Sequence, residues 1–219
     1  MLPKTDPAAG VAIAEANRPG PLRSGVMGEA PSLSLAEWVV LTLISEKPTH
    51  GFAISVLTEH DGELGRIWHL PRPAVYRALA RVQEAGLVAA ESIQPGRGPQ
   101  RTIYAITPPG QEAVEAWLST PVQHVRDVRS HLLMKLALLD RAGRDAADLL
   151  TRQQAVLAPI AAAIAAEPSA GNGFDATLLA WRRANAAAAM CFLADITAPP
   201  SEAPRNTTPT PAEAPRDTP

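Results

Sequence analysis

The hydrophobic pattern of the chain begins with a helix that is apolar on nearly every side. Ser34 stands before this segment and Glu37 follows three residues later, which is the spacing of a capping box. Pro48 sets the end of the helix at Lys47. Because residues 38–44 are almost all apolar, we expect the helix to be covered all round, partly by chain from outside its own small domain.

Two further helices are predicted before the pattern changes. Residues 52–60 read as a short helix with Phe52 and Val56 facing inward and Ile54 and Leu57 as further candidates for that face. A longer helix begins at residues 71–73 and ends at Gly86. In the longer helix the apolar residues Val75, Leu79 and Val82 recur at helical spacing. The opposite face carries Arg77 and is therefore free to meet a partner.

A change of period after Gly86 predicts a β-hairpin. Residues 87–93 and 101–107 read as two short strands, and the loop between them is rich in glycine and proline. A fourth helix opens at Pro108 and stops before Pro121. Three helices followed by a two-stranded hairpin is the order of a winged helix-turn-helix.

All signals beyond Pro121 are helical, so the chain as a whole is predicted to be mainly α. Residues 145–166 and 174–196 form two long apolar segments, and Pro159 is expected to kink or split the first. Long helices with an apolar stripe and little else to cover it commonly pair with a second copy. The residues predicted to form this dimer contact are Leu149, Val156, Leu157, Ile160, Ile164, Leu178 and Trp181.

Proline content predicts where the folded part lies. Twelve of the 22 prolines fall in the two terminal stretches, where they cannot support packed elements. We therefore predict a disordered arm at 1–31, a winged helix-turn-helix domain at 32–120, a helical dimerisation domain at 121–197 and a disordered tail at 198–219.

Charge is distributed unevenly along a chain whose formal net charge is only -2. That total argues against a protein that binds polyanions by bulk charge. Residues 64–101, however, hold six arginines and two glutamates, a local charge of +4. Positive charge is thus concentrated on the third helix and the hairpin, the two parts of a winged helix that reach DNA.

The ordered motifs resemble those of the PadR-type transcriptional regulators. The likeness rests on the opening LSLAEWVVLTLISEKPTHGFAI, the stretch PAVYRALARVQEAGLV, the wing GRGPQRTIYAITPPG and the later HLLMKLALLD. It implies a homodimeric repressor that binds double-stranded DNA at a palindromic operator and is released by a small hydrophobic or aromatic effector. One departure is the sequence Pro71-Arg72-Pro73, which replaces the small residues usual at the start of the recognition helix.

Candidate DNA contacts follow from residue chemistry and position. Arg77 is expected to meet a base edge in the major groove, since arginine can bond guanine with two hydrogen bonds. Arg72 is expected to meet a phosphate. The full predicted set is Arg72, Tyr76, Arg77, Arg97, Gln100 and Arg101, in which Tyr76 matches the tyrosine of the family and the last three lie along the wing.

An effector site is predicted from tryptophans in segments expected near the dimer centre. Trp38, Trp117 and Trp181 would suit a flat aromatic ligand, with Trp117 the first choice, although aromatics at helical spacing also serve simply as core residues.

An enzyme, a metal-responsive regulator and a protein-interaction module are the alternative classes of function. No metal-binding or catalytic motif accompanies the five histidines, so neither an enzyme nor a cofactor is expected. His124 and His131, seven residues apart, leave a metal-responsive regulator as an alternative, and a protein-interaction module on the same fold is another. The single cysteine, Cys191, and the lack of a signal segment or a long uninterrupted apolar run favour a cytoplasmic protein without membrane contact.

Overall fold

The computed structural model describes residues 32–94, 100–168 and 171–198. The predicted arm at 1–31 and residues 199–219 of the predicted tail lie outside the described residues. In chain order the elements are α1 (Leu35–Glu46), α2 (Gly51–Thr58), α3 (Arg72–Glu84), β1 (Val88–Gln94), β2 (Arg101–Ile106), α4 (Pro108–Ser119), α5 (Leu133–Arg141), α6 (Ala147–Ala166) and α7 (Phe174–Thr197). The predicted fold class, mainly α with a two-stranded wing, is confirmed.

Helix α1 forms the centre of the structure. Ser34 and Glu37 make the predicted capping box, in which the Ser34 backbone N–H donates to the Glu37 carboxylate at 2.7 Å. Buried residues occur on all sides of α1, which contacts α3, α4, β2 and α5. Helix α1 is therefore buried partly by α5, which lies outside the winged helix-turn-helix, as its all-apolar sequence predicts.

Helices α2 and α3 form the helix-turn-helix against α1. Val75, Leu79 and Val82 of α3 are buried as their spacing predicts. The prediction for α2 was wrong at Val56, which is 49% exposed. The helix packs through Ile54, one of the predicted candidates, and its neighbour Ser55.

The wing is tied to the rest of the domain at both ends. Strands β1 and β2 pair antiparallel, and a bulge between Ala90 and Ser92 interrupts their register. Gly86, at a φ of +71°, makes the turn from α3 into β1 in a backbone conformation that favours glycine. The backbones of Thr49 and Tyr104 exchange hydrogen bonds of 2.8 and 3.0 Å, which anchors β2 to the turn before α2. The wing is thereby held beside the helix-turn-helix.

The C-terminal region begins with irregular helical turns. A 3₁₀ turn (Val125–Asp127) and a π turn (Val128–Leu132) lead into α5. Helix α6 runs unbroken from Ala147 to Ala166 with Pro159 inside it, so the helix is not split there. It packs on α7 in a helical hairpin.

This hairpin changes the interpretation of the predicted dimer stripe. Leu149 and Leu157 are fully buried within the subunit, and Val156 and Ile160 pack against the same core. Ile164 is half-buried. Leu149 and Leu157 are thus enclosed by their own chain, whereas Val156, Ile160 and Ile164 are only half-buried and Leu178 and Trp181 of α7 are exposed.

Within the described residues, α6 is also the one helix long and apolar enough to cross a membrane by length and composition. Core helices of proteins without membrane contact meet the same criteria, and several of the apolar side chains of α6 pack inside this subunit.

Polar side chains connect the C-terminal region to the elements before it. Arg141 of α5 binds Glu46 at the end of α1, at 2.9 Å, and also Glu63 in the loop before α3. The hydrogen bond with Glu46 raises the pKa of Arg141, and burial opposes it by a smaller amount. Gln153 of α6 is fully buried and holds the backbone of Val122 by two hydrogen bonds, of 2.8 and 2.9 Å.

Candidate nucleic-acid interface

A groove of about 410 Å³ lies between α3, the start of α2 and the wing. Its lining is polar and aromatic, with residues from all three elements: His50, Gly51, Phe52, Arg72, Tyr76, Leu79, Gln100, Arg101, Thr102 and Tyr104. Four of the six residues predicted to meet DNA, namely Arg72, Tyr76, Gln100 and Arg101, therefore line one groove.

Phe52 brings two of these arginines together. The guanidinium carbon of Arg72 lies 5.0 Å from the centre of the Phe52 ring, and that of Arg101 lies 4.8 Å from it. Arginine is attracted to aromatic rings at this range. One ring thus positions a cation from the recognition helix and a cation from the wing, and we call these three residues the arginine clamp.

Tyr76 occupies the wall of the groove between α3 and α2. Its side chain is 48% exposed, and the ring lies so close to Gly51 that a Cβ at that position would come within 2.9 Å of it. A side chain at position 51 would displace the ring, so Gly51 leaves the space that Tyr76 occupies.

Of the other two predicted contacts, only Arg77 lies within the described residues. Arg77 is exposed on α3 but is not among the groove-lining residues. Arg97 lies outside the described residues.

Ion pairs reduce the free positive charge of this region. Arg81 pairs with Glu84 at 3.2 Å on the same helix, and Arg72 pairs with Glu59 at 3.3 Å. Within the described residues, Arg77 and Arg101 lie beyond ion-pair distance of any carboxylate. They are thus the arginines of the predicted set most available to a phosphate or a base.

Sequence reasoning missed the role of Phe52 and of His50, two residues before it in the turn. His50 caps α2, since its Nδ1 accepts a hydrogen bond from the Ala53 backbone at 3.0 Å. This cap fixes where α2 begins and so where Phe52 points. The only sequence signal was the THGF turn, whose partners across the groove are not adjacent in the chain.

The three tryptophans predicted to line an effector site do not come together. Trp38 and Trp117 stack on each other in the core, with ring centres 5.2 Å apart and planes within 7°. Their rings therefore serve as packed core residues between α1 and α4. Trp181 lies on the surface of α7.

A buried lysine lies against this tryptophan stack. Lys135 is 3% exposed, its Nζ lies 4.9 Å from the centre of the Trp117 ring, and it donates a hydrogen bond to the Thr120 carbonyl. Burial lowers the pKa of Lys135 to about 8. Burial of the charged form of Lys135 therefore lowers the free energy of unfolding.

We expect Lys135 to make the folded chain more stable as the pH rises from about 8 to 10.5, the ordinary value for lysine. In that window the unfolded chain still binds the proton that the folded chain has released, so the slope is positive. Lys135→Met should abolish the rise. Below pH 8 it should also relieve a cost on the order of 2–3 kcal/mol, less about 1 kcal/mol for the lost hydrogen bond.

Denaturant unfolding at pH 7 and pH 10 measures this effect. Lys47, which is exposed, provides the matched control in Lys47→Met. If both variants show the same pH dependence as the parent chain, the burial of the Lys135 charge does not affect stability.

The metal-responsive alternative requires His124 and His131 to lie on one face of a continuous helix. His124 precedes the 3₁₀ turn and His131 lies in the π turn, so one continuous α-helix does not carry both. In the described ranges, no group of three or more His, Cys, Asp or Glu side chains is arranged to hold a metal ion.

Fold and groove together define a winged helix-turn-helix protein with an appended helical region. The family model of the PadR-like transcriptional regulators matches residues 40–116, from within α1 to within α4. No curated protein is significantly similar to the chain in sequence.

Solved structures are similar to this chain at low sequence identity. Bacillus subtilis PadR, in a crystal structure with operator DNA, is 18% identical, with 74% of this chain and 97% of that one covered and a TM-score of 0.38. A PadR-like transcriptional regulator from Bacillus cereus is 20% identical, with 74% and 95% covered and a TM-score of 0.34. Neither likeness is close enough to transfer a binding property to this chain.

Proposed function

We propose that this protein is a sequence-specific regulator that binds double-stranded DNA through α3 and the wing. The observation that carries the proposal is the arginine clamp, in which Phe52 sets Arg72 of α3 and Arg101 of β2 on one groove. A winged helix meets DNA with these same two elements. Both guanidiniums would bond oxygens of the DNA backbone, which fixes the position of the protein on the duplex.

In this proposal, other residues recognise the base sequence of the DNA. Arg77 extends from the exposed face of α3 and reads a guanine edge in the major groove. Tyr76 and Gln100 bond the backbone or a neighbouring base beside it, and Arg97 extends the wing contact.

We further propose that the protein acts as a homodimeric repressor in the cytoplasm. Residues 32–120 serve as the DNA-binding domain and residues 121–197 as the dimerisation domain, with Trp181 and Leu178 on the exposed face of α7. Two recognition helices related by a two-fold axis require a palindromic operator. Release by a small hydrophobic or aromatic effector completes the proposal.

A gel shift followed by footprinting on DNA from upstream of the protein's own gene tests this function. We expect a protected site with two-fold symmetry and half-sites about 10 base pairs apart, or a multiple of that. Affinity should fall steeply as salt rises, because phosphate contacts release counterions. Absence of binding to any duplex at low salt would favour a protein-interaction module, and a footprint without symmetry would contradict the dimer.

A further inference from the structure

Arg141, the last residue of α5, joins three segments of the chain. Its Nε donates to one carboxylate oxygen of Glu46, at 3.1 Å, and one terminal nitrogen donates to the other oxygen, at 2.9 Å. Glu46 is the last residue of α1. The other terminal nitrogen of Arg141 donates to the carboxylate of Glu63, in residues 59–71, which we call the α2–α3 turn. One guanidinium therefore holds the end of α1 and the α2–α3 turn together, as the fork of donors in arginine allows.

These ion pairs are partly withdrawn from water. The side chains of Arg141 and Glu46 are each 19% exposed, and that of Glu63 is 44% exposed. A single exposed ion pair contributes little because water and salt screen it, whereas a bidentate pair within a network of low exposure is screened less. The Arg141 network therefore differs from an ordinary surface ion pair.

The contact with Glu63 is the polar link between α5 and the helix-turn-helix. Across the described residues, it is the one hydrogen bond or ion pair between α5 and residues 47–71. Beside it lies a hollow of about 240 Å³ between the end of α1, α2 and Arg141. Side chains do not fill this space, so the ion pair and not close packing connects α5 with the helix-turn-helix at this point.

The α2–α3 turn that carries Glu63 is itself tightly bonded. Leu64 is fully buried, and its backbone N–H donates to the Leu57 carbonyl at 2.9 Å. At the far end of the turn, the Leu70 backbone N–H donates to the Thr58 carbonyl at 3.0 Å, and the Thr58 hydroxyl donates to the Leu70 carbonyl at 3.3 Å. A displacement of Glu63 is therefore passed along the turn to Leu70.

Helix α3 begins directly after Leu70. The Pro71 carbonyl accepts hydrogen bonds from the backbone N–H groups of Ala74 and Val75, at 2.8 and 3.2 Å, which forms the first turn of the helix. Arg72, the first residue of α3, belongs to the arginine clamp. The position of the clamp therefore depends on where the α2–α3 turn lies.

Resting on the DNA-binding function proposed above, we infer that Arg141 is a positioning residue for DNA recognition. Arg141 belongs to the C-terminal region and does not line the groove of the arginine clamp. It acts through Glu63, which fixes the α2–α3 turn, and the turn sets where α3 begins and where Arg72 points. A contact made by one region of the chain thus determines how another region meets DNA.

Replacement of Glu63 gives a result whose sign distinguishes position from charge. Removal of a carboxylate from a DNA-binding domain, by its charge alone, strengthens binding because the repulsion of phosphates falls. Glu63→Gln should instead weaken operator binding by about threefold, since the ion pair with Arg141 is lost. Asp61→Asn is the matched control, because Asp61 is exposed in the same turn and lies beyond ion-pair distance of any described cation. It should bind the operator at least as tightly as the parent chain.

Replacement of Arg141 removes both ion pairs. Arg141→Met should weaken operator binding by about tenfold. The slope of log affinity against log salt should stay the same, because no phosphate contact is lost. Arg144→Met is the matched control: Arg144 pairs with Glu115 of α4 at 2.6 Å, so this variant loses the same charge without a change at the α2–α3 turn. Its operator affinity should stay within about twofold of the parent chain.

Amide hydrogen exchange measures the position of the turn without DNA. Exchange at Leu64 and Leu70 should become several-fold faster in Glu63→Gln and Arg141→Met, and should not change in Asp61→Asn and Arg144→Met. A general loss of stability would instead speed exchange throughout the folded chain.

The possible failures can be told apart. If Glu63→Gln binds the operator as tightly as Asp61→Asn, or Arg141→Met as tightly as Arg144→Met, the positioning role is overturned and the proposed regulator stays intact. A shallower salt slope for Arg141→Met would place Arg141 on a phosphate and would also overturn it. A parent chain without affinity for any duplex removes the proposed function, and exchange at Leu64 and Leu70 then decides whether Arg141 holds the turn.

Discussion

Replacement of both arginines of the clamp should lower the affinity for operator DNA by about 100-fold. Arg72→Ala/Arg101→Ala removes two cations that one Phe52 ring holds on the same groove. Hydrogen bonds to charged groups contribute about 1.5–3 kcal/mol each, so two of them amount to roughly two powers of ten or more. The slope of log affinity against log salt should become shallower by about 2, one unit for each lost phosphate contact.

Two matched variants separate this effect from a general loss of charge. Arg152 is exposed on α6, remote in sequence from the groove, and Arg152→Ala should leave both affinity and salt slope unchanged. Arg77→Ala should cost about 1–3 kcal/mol and relax the preference at one base position, with the salt slope less affected. If the clamp variant and Arg152→Ala behave alike, the groove is not the DNA interface.

The largest effect on stability is expected at Gln153. Its side chain is fully buried and makes two hydrogen bonds to the Val122 backbone, across 31 residues of sequence. Gln153→Ala leaves a cavity and two backbone groups without partners. Each unsatisfied buried group costs about 1–3 kcal/mol, so the free energy of unfolding should fall by roughly 3–5 kcal/mol.

Chemical denaturation at fixed protein concentration measures this loss. Gln154→Ala, at the neighbouring and less buried position, is the control and should cost about 1 kcal/mol or less. A cost below about 1 kcal/mol for Gln153→Ala would mean that water replaces the amide at Val122.

Local signals explain which parts of the fold could be predicted. The cap at Ser34, the spacing of Val75, Leu79 and Val82, and the turn at Gly86 each involve residues within a few positions of one another. Such relations are set by helix and strand geometry alone, so the order of elements and the inner face of α3 follow from the sequence. The resemblance to PadR-type regulators, in addition, points to the DNA-binding function proposed for this order of elements.

Features that join distant segments could not be predicted in this way. Gln153 reads as one member of an apolar stripe, and its partner at Val122 is known only once α6 lies against the turn after α4. Similarly, nothing local shows that Trp38 and Trp117 stack on each other instead of lining a cavity. The position of Arg101 beside Phe52 depends on where the wing is anchored, at Thr49 and Tyr104.

Helix α1 is buried by residues from both halves of the chain, and this determines whether the halves can be separated. One continuous cluster of buried side chains runs from Leu35 in α1 to Leu193 in α7. Arg141 of α5 also holds the end of α1 through Glu46. A fragment that stops at residue 120 would uncover part of its own central helix, so this winged helix-turn-helix is not a transplantable module. Fusions or domain exchanges that keep it functional have to carry α5 with it.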